Sequence, residues 1–446
     1  DGSILVGIPM YIYGKYYNIR HHLSTHLHST SLLNSHQHKT VSEGVAIADG
    51  MVPPNLHNKL IWQIDQLSQA QKADYHPHSN NMVRDLVHPA LYAYVKGVSK
   101  VISMDEVPPC QPPDDFEHRL HRSNYDDSSG KDYWGRKYEH SMKYQWLPTY
   151  FDVAPDGSCH ICDYVNNLVP RQDFTGLYTS LEELFSQALP LLESTYSYGR
   201  FISTNLLSHS RNIQEWTRDE AYNPHDGAAV ADLYCNKDVP RWSLKGQRLQ
   251  VITKIVDYEL DAGQKYEGVW HVEGMSHEEI VATAIYILER DENIVGGNIL
   301  FKRAIHASEA GYLRESSGQQ RPSHVNNIIK DGTVPLGQVE TLSKRLIAFP
   351  NSHIHKVTTL KNKGNDADAD ADADAERAGK KRRGMKPKRR IVVFFLINPE
   401  KRIISTREVP PQQIEAGGSM TYEEACEHRL ELMRERKYTK QDWNVR

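Results

Sequence analysis

Trp270-His271-Val272-Glu273-Gly274, late in the chain and flanked by β-rich stretches, decides how the rest of the sequence is read. On a strand, side chains share a face every second residue, about 6.6 Å apart along the backbone. His271 and Glu273 then point one way and Trp270 and Val272 the other, so an imidazole and a carboxylate can converge on one metal ion. On a helix the same pair would stand about 200° apart and could not. The best third ligand is His355, in Phe349-Pro350-Asn351-Ser352-His353-Ile354-His355-Lys356-Val357. Two histidines and one carboxylate leave open positions on an Fe(II) ion. His-x-Glu alone is a weak signal in a chain with 23 histidines, and the plainer alternative is a pair of ordinary polar strand residues.

At 446 residues the chain exceeds a usual single core, so a decorated large domain or two domains are expected. Its 53 Lys and Arg against 57 Asp and Glu leave a charge of −4, which implies no global attraction to nucleic acid or to a membrane surface. No run approaches the roughly 18 apolar residues of a spanning helix. The opening Asp1-Gly2-Ser3-Ile4-Leu5-Val6-Gly7-Ile8-Pro9 lacks the basic start and cleavage site of a signal peptide, and it begins without Met, as a fragment would. Five scattered Cys exclude a disulfide scaffold and fit an intracellular setting, cytoplasmic or nuclear.

Residues 1 to about 50 are poorly patterned and His-rich (His21, His22, His26, His28, His36, His38), and read as a loosely ordered arm. Leu56, Leu60, Ile64 and Leu67 recur at helical spacing within Asn55–Lys72. Val107–Asp132 reads as a long loop. Cys159-His160-Ile161-Cys162 lacks a second cysteine pair downstream and reads as two cysteines on a strand pair. Ser180-Leu181-Glu182-Glu183 predicts a helix start, with Pro190 disturbing the helix. Val281 to Leu288 fits a helix and a strand equally well by period. Short β-branched or aromatic runs follow at 298–304, 345–349, 356–360, 389–397 and 402–406, and together predict an antiparallel barrel or jelly roll. Between two of them lies Asp-Ala repeated from Asp366 to Ala375, then the basic Lys380–Lys388, read as a solvated loop with a nuclear-import patch as the alternative. Thr421-Tyr422-Glu423-Glu424 caps a C-terminal helix carrying Ala425, Leu430, Leu432 and Met433.

From about His76 onward the chain resembles the mostly fungal family named domain of unknown function 4246, itself similar to Fe(II)/2-oxoglutarate oxygenases of the cupin type. The resemblance is carried by Asp85-Leu86-Val87-His88-Pro89, Gln145-Trp146-Leu147-Pro148, Tyr164-Val165-Asn166-Asn167-Leu168, Trp270-His271-Val272-Glu273-Gly274, Phe349-Pro350-Asn351 with His355, and Arg389-Arg390-Ile391-Val392-Val393-Phe394-Phe395-Leu396. It implies an α+β fold, a double-stranded β-helix (jelly roll, cupin-like) core with flanking helices. It implies a divergent arm and helix over 1–75 and an oxygenase-like domain over 76–446, with the core at about 245–406, a disordered insert at 363–388 and a helix at 421–437. It makes 281–288 a strand and selects His355 over His353. It further implies Fe(II) held by His271, Glu273 and His355, O₂ and 2-oxoglutarate as cosubstrates, and Arg389 on the far carboxylate of 2-oxoglutarate, with Arg390 as the alternative. The implied chemistry is hydroxylation of an unidentified substrate; the alternatives are a non-catalytic cupin-like binding or scaffold protein and a nuclear factor acting through the basic insert Lys380–Arg390. Asn166, Asn167, His88 and Tyr286 are candidate pocket residues, with structural hydrogen bonding as the plainer alternative.

Overall fold

The computed structural model describes residues 39–42, 44–102, 141, 143–168, 175–218, 241–304, 332–364 and 386–440. The His-rich tract, the 107–132 loop and the body of the Asp-Ala and basic insert lie outside the described residues. In chain order the elements are β1 (Lys39–Ser42), β2 (Val45–Asp49), α1 (Pro54–Ala70), β3 (Val83–Val87), β4 (Tyr94–Val95), β5 (Tyr144–Gln145), β6 (Thr149–Val153), β7 (Cys159–Ile161) and α2 (Thr175–Arg218). There follow β8 (Arg248–Glu259), β9 (Lys265–Tyr266), β10 (Ile280–Arg290), β11 (Ile294–Gly296), β12 (Ile299–Ala304), β13 (Thr333–Val339), β14 (Arg345–Pro350), β15 (His353–Val357), β16 (Leu360–Asn362), β17 (Lys388–Ile397) and α3 (Tyr422–Lys440). This is a mixed fold of few helices and antiparallel sheets. Among the described residues no helix is long and apolar enough to cross a membrane.

The large sheet runs β1-β2-β14-β10-β17-β8-β6-β7, with β3 also paired to β8. Its central strands are buried on both faces, which is why periodicity could not classify 281–288. In β10, Ala282, Ala284, Tyr286 and Leu288 join Val392, Phe394 and Leu396 of β17 in a core beneath α1 and α2. Ile285 and Ile287 join Ile391, Val393 and Phe395 in a second core on the other face. Ile299, Phe301, Leu336, Val339 and Leu360, from the small sheets β13-β12-β15 and β11-β16-β9, close that second core. The molecule is therefore layered as helices, large sheet and small sheets, and what lies between the sheets is shielded from water.

Several sequence expectations change. Residues 39–70, grouped with the N-terminal arm, are built into these layers: β2 pairs with β14, and Leu56, Leu60, Ile64 and Leu67 of α1 are buried as their spacing predicts. The helix predicted from Ser180 begins at Thr175, and Ser180 instead returns its hydroxyl to the Gly176 carbonyl inside it. Pro190 does not end it, because Leu189, Leu191 and Leu192 are buried around the lost hydrogen bond and packing holds the helix. The 356–360 run straddles the break between β15 and β16. Arg402–Thr406 forms no strand: the Gln250 side chain accepts from Ile403 N (2.9 Å) and donates to Ile403 O (2.6 Å), doing the work of a sheet neighbour.

Candidate metal centre

The motif stretch is not a regular strand. His271 makes a single antiparallel bridge to β15, its N–H donating to His355 O (3.0 Å) and its carbonyl accepting from His355 N (2.9 Å). One bridge suffices to set the two imidazoles side by side, with ring centroids 4.3 Å apart. Glu273 is turned toward them by Asn351, in the turn between β14 and β15, which accepts from Glu273 N and donates to Glu273 O, both at 2.9 Å. The chain then bends at Gly274, whose φ of 63° suits glycine and whose Cβ would stand 2.7 Å from both Glu278 and Ile280. Glu278 fastens the exit by accepting from Met275 N (2.7 Å), Trp146 N (2.6 Å) and Arg436 of α3 (2.6 Å).

The result is that Glu273 Oε1 lies 3.4 Å from His271 Nε2 and 3.5 Å from His355 Nε2. The other nitrogen of each ring faces a backbone carbonyl, His271 Nδ1 toward Val269 O (2.8 Å) and His355 Nδ1 toward His353 O (3.2 Å). A carbonyl only accepts, so each Nδ1 carries a proton there, and each Nε2 is turned toward the carboxylate. Burial, reinforced by His271, lowers the His355 value and favours its neutral form. Burial pushes the Glu273 carboxyl up, but His271 and His355, aided by Lys254, outweigh it and hold the group well below the usual range. Two imidazole nitrogens and one carboxylate oxygen thus converge, the donor set of a divalent cation once the Nε2 positions are free of protons. The ring of Phe349, 4.7 Å from that of His355, walls the apolar side.

Arg389 lies on the same face of β17 as Ile391, Val393 and Phe395, and is buried rather than solvated at the end of a basic run. Its Nη1 donates to Gly297 O (2.8 Å) and Thr341 Oγ1 (3.3 Å), and its guanidinium covers the Tyr258 ring at 4.5 Å. Its Nε has no partner, and among the described residues no carboxylate pairs with it. Burial lowers its value, and its spare donors fit an incoming carboxylate. Arg390 faces the helices and is fully engaged, with Asp257 (2.7 Å twice), Asp65 (2.9 Å) and Glu289 (3.0 Å).

Of the other expected pocket residues, Tyr286 is on the wrong face, bonded to His57 beneath the helices (2.9 Å). Asn166 ties down the Leu91 carbonyl (3.1 Å), and Asn167 turns the chain at φ 59°. His88 does face the space between the sheets. With His76 and Asp85 it forms a second close group whose potential ligand atoms lie within 4.8 Å of one another, as do those of His271, Glu273 and His355. That second group, Asn351 and the inward Lys254 escaped the sequence reading. Lys254 alone left a trace, as a charge inside the apolar run from Leu249 to Val256.

The fold and the centre together define a chain of mixed helix and antiparallel sheet carrying a partly buried His-Glu-His cluster. This chain belongs to the family described as Protein of unknown function (DUF4246), whose profile matches residues 23–417. The match starts well before His76 and stops short of α3. No curated protein matches the chain. Among solved structures it is similar to a prolyl hydroxylase from Trichoplax adhaerens in complex with a hypoxia inducible factor peptide fragment, with 9% identity, 80% of this chain and 85% of that one covered, and a TM-score of 0.30. It is also similar to an oxidoreductase of the 2OG-Fe(II) oxygenase family from Burkholderia pseudomallei (12% identity, 45% and 62% covered, TM-score 0.18). A Pseudomonas putida prolyl-4-hydroxylase matches at 11% identity, with 33% and 49% covered and a TM-score of 0.16.

Proposed function

We propose that this protein is an Fe(II)- and 2-oxoglutarate-dependent dioxygenase of the hydroxylase type. The observation that carries this reading is the convergence of two Nε2 atoms on one carboxylate oxygen at 3.4 and 3.5 Å, with both Nδ1 N–H groups turned to carbonyls. In this reading the core is a double-stranded β-helix. The chain alternates between sheets, β8, β10, β14 and β17 in the large one and the His271 segment, β12, β13 and β15 in the small ones.

His271, Glu273 and His355 would hold the metal, and Val269 O and His353 O keep the two imidazoles in the ligating tautomer. When bound, Fe(II) with O₂ supplies the oxidative decarboxylation of 2-oxoglutarate to succinate and CO₂, coupled to hydroxylation of a substrate C–H bond. Arg389 would receive the distal carboxylate of 2-oxoglutarate, its fork exchanging desolvation without a counter-charge for a charge-assisted pair. Phe349 and Phe301 exclude water beside His355.

The direct test is iron stoichiometry and succinate formation. Wild-type protein should bind one Fe(II) and convert 2-oxoglutarate to succinate under O₂ even without its own substrate. The His271→Ala, Glu273→Ala and His355→Ala proteins should each lose most metal while keeping their circular dichroism. Full iron loading in all three would place the metal elsewhere and sink the reading.

A further inference from the structure

The inner face of β8 carries a charge that the proposed chemistry does not use. Lys254 stands between Ile252 and Val256, both buried in the core between the sheets, and alternation turns it to the same side. Val393 of β17 is its partner on one edge. On the other edge Val87 pairs with Ile255, which brings the following residue, His88, alongside Lys254. The ammonium is near enough to Glu273, Asp85 and His88 to act on each electrostatically, so it neighbours both the metal centre and the second close group. The neighbouring carboxylates face other cations, although the buried Oδ1 of Asp85 accepts no hydrogen bond. Glu273 faces its two histidines, and Asp85 holds His76 at 2.9 Å with Arg429 at 3.8 Å. Lys254 is half-buried, and among the described residues no hydrogen bond or ion pair reaches it, so its N–H donors are open to a ligand.

His88 adds a donor. Ala90 N–H points at His88 Nδ1 (3.1 Å), and burial drives this imidazole far below its ordinary value, so the ring is neutral and its proton sits on Nε2. That tautomer also disqualifies His76, Asp85 and His88 as a metal triad. One nitrogen of His88 is occupied, the other is protonated, and a cationic ammonium stands close by. The wall offers positive charge and N–H.

We propose that Lys254, assisted by the Nε2–H of His88, is the receptor for an anionic group, a carboxylate or a phosphate, on the molecule oxidised at His271, Glu273 and His355. The proposal rests on the oxygenase reading for what happens to that molecule, but not for the anion site itself. The site is separate from the one assigned to 2-oxoglutarate: Arg389 pairs with Tyr258, four residues from Lys254 on the same face, or about 13 Å along the strand.

The test uses the full chain without metal and three probes of one shape: benzoate, phenyl phosphate and benzamide. In ligand-observed NMR titrations at least one of the two anions should bind wild-type and Arg389→Met proteins, and benzamide should bind neither. Which anion binds better tells carboxylate from phosphate. Lys254→Met, which removes a charge from the core and should fold at least as well, should weaken the anion about ten-fold or more, and Lys254→Arg should restore it. In Fe(II)-loaded protein kept free of O₂, Lys254→Met should leave 2-oxoglutarate affinity within about two-fold, as expected of separated sites. Anion binding that is absent from wild type, or unchanged in Lys254→Met, overturns the proposal. So does a loss of 2-oxoglutarate affinity as large as that of Arg389→Met, which would give Lys254 to the cosubstrate. Anion binding that survives while 2-oxoglutarate fails to bind at all would sink the oxygenase reading and leave the receptor standing.

Discussion

Arg389 and Arg390 are adjacent in sequence and lie in opposite cores, so the same substitution should have opposite consequences. Arg389→Met removes a cation with no carboxylate partner: iron binding should be nearly unchanged, while 2-oxoglutarate affinity falls about ten- to a hundred-fold. Arg390→Met strands the buried Asp257 and leaves Asp65 with Lys388 alone (3.1 Å), and should cost about 3–5 kcal/mol of stability in denaturant unfolding with little effect on cosubstrate binding. An exchange of the two phenotypes would mean that β17 sits one residue out of register. Asn351→Ala should weaken metal binding about ten- to a hundred-fold in a competition titration, because it frees the Glu273 backbone without removing a ligand. His271, Glu273 and His355 were readable from residue type and spacing once the resemblance chose between His355 and His353. Asn351 was not, because its work is backbone bonding 78 residues away in sequence, which no local pattern records.

At the level of elements, β17 and β14 could be read from their apolar runs, and α3 from the Thr421 and Glu424 pair that caps it in the structure (2.8–3.1 Å). β10 could not be assigned by period because its two faces are equally buried, and 402–406 misled because side-chain amides replace its ladder. β3 was missed as a strand, yet it carries Asp85, whose ionisation matters. Burial raises the Asp85 carboxyl, but the hydrogen bond with His76 and the nearby Lys254 charge more than compensate, so the folded value lies far below the ordinary one. A depressed carboxylate contributes stability above its unfolded value, about 3.9, and loses it as pH falls toward the folded value. The gap in melting temperature between wild type and Asp85→Asn should therefore be widest near neutrality and narrow below about pH 4. A gap that does not change with pH would mean that Asp85 matters for its shape rather than its charge.

At the scale of the whole molecule, both flanks of the Asp-Ala and basic insert return to one turn. Gly263 N donates to Asn362 O and Leu260 N to Pro387 O (3.1 Å each), and Lys386 reaches Asp261 at 3.0 Å. The ends are pinned whatever the length between them, and loop length costs only about 0.6 kcal/mol per doubling. Deleting Asn365–Gly384 should leave the melting temperature within a few degrees, and a drop of many degrees would make the insert a packed element. The layered arrangement itself was readable only as a class, since pairings such as β2 with β14 join residues about 300 apart.

The bond from Arg436 to Glu278 spans 158 residues and closes the bend that follows the metal motif. A ribosome makes Glu278 long before it makes Arg436, so the nascent chain carries a carboxylate destined for burial with no counter-charge yet in existence. The bend behind Glu273 therefore gains this anchor only once α3 has been made. A chain cut short before Tyr422 would keep His271, Glu273 and His355 and lose the one cation that holds this bend from α3, leaving Glu278 to the Met275 and Trp146 N–H groups.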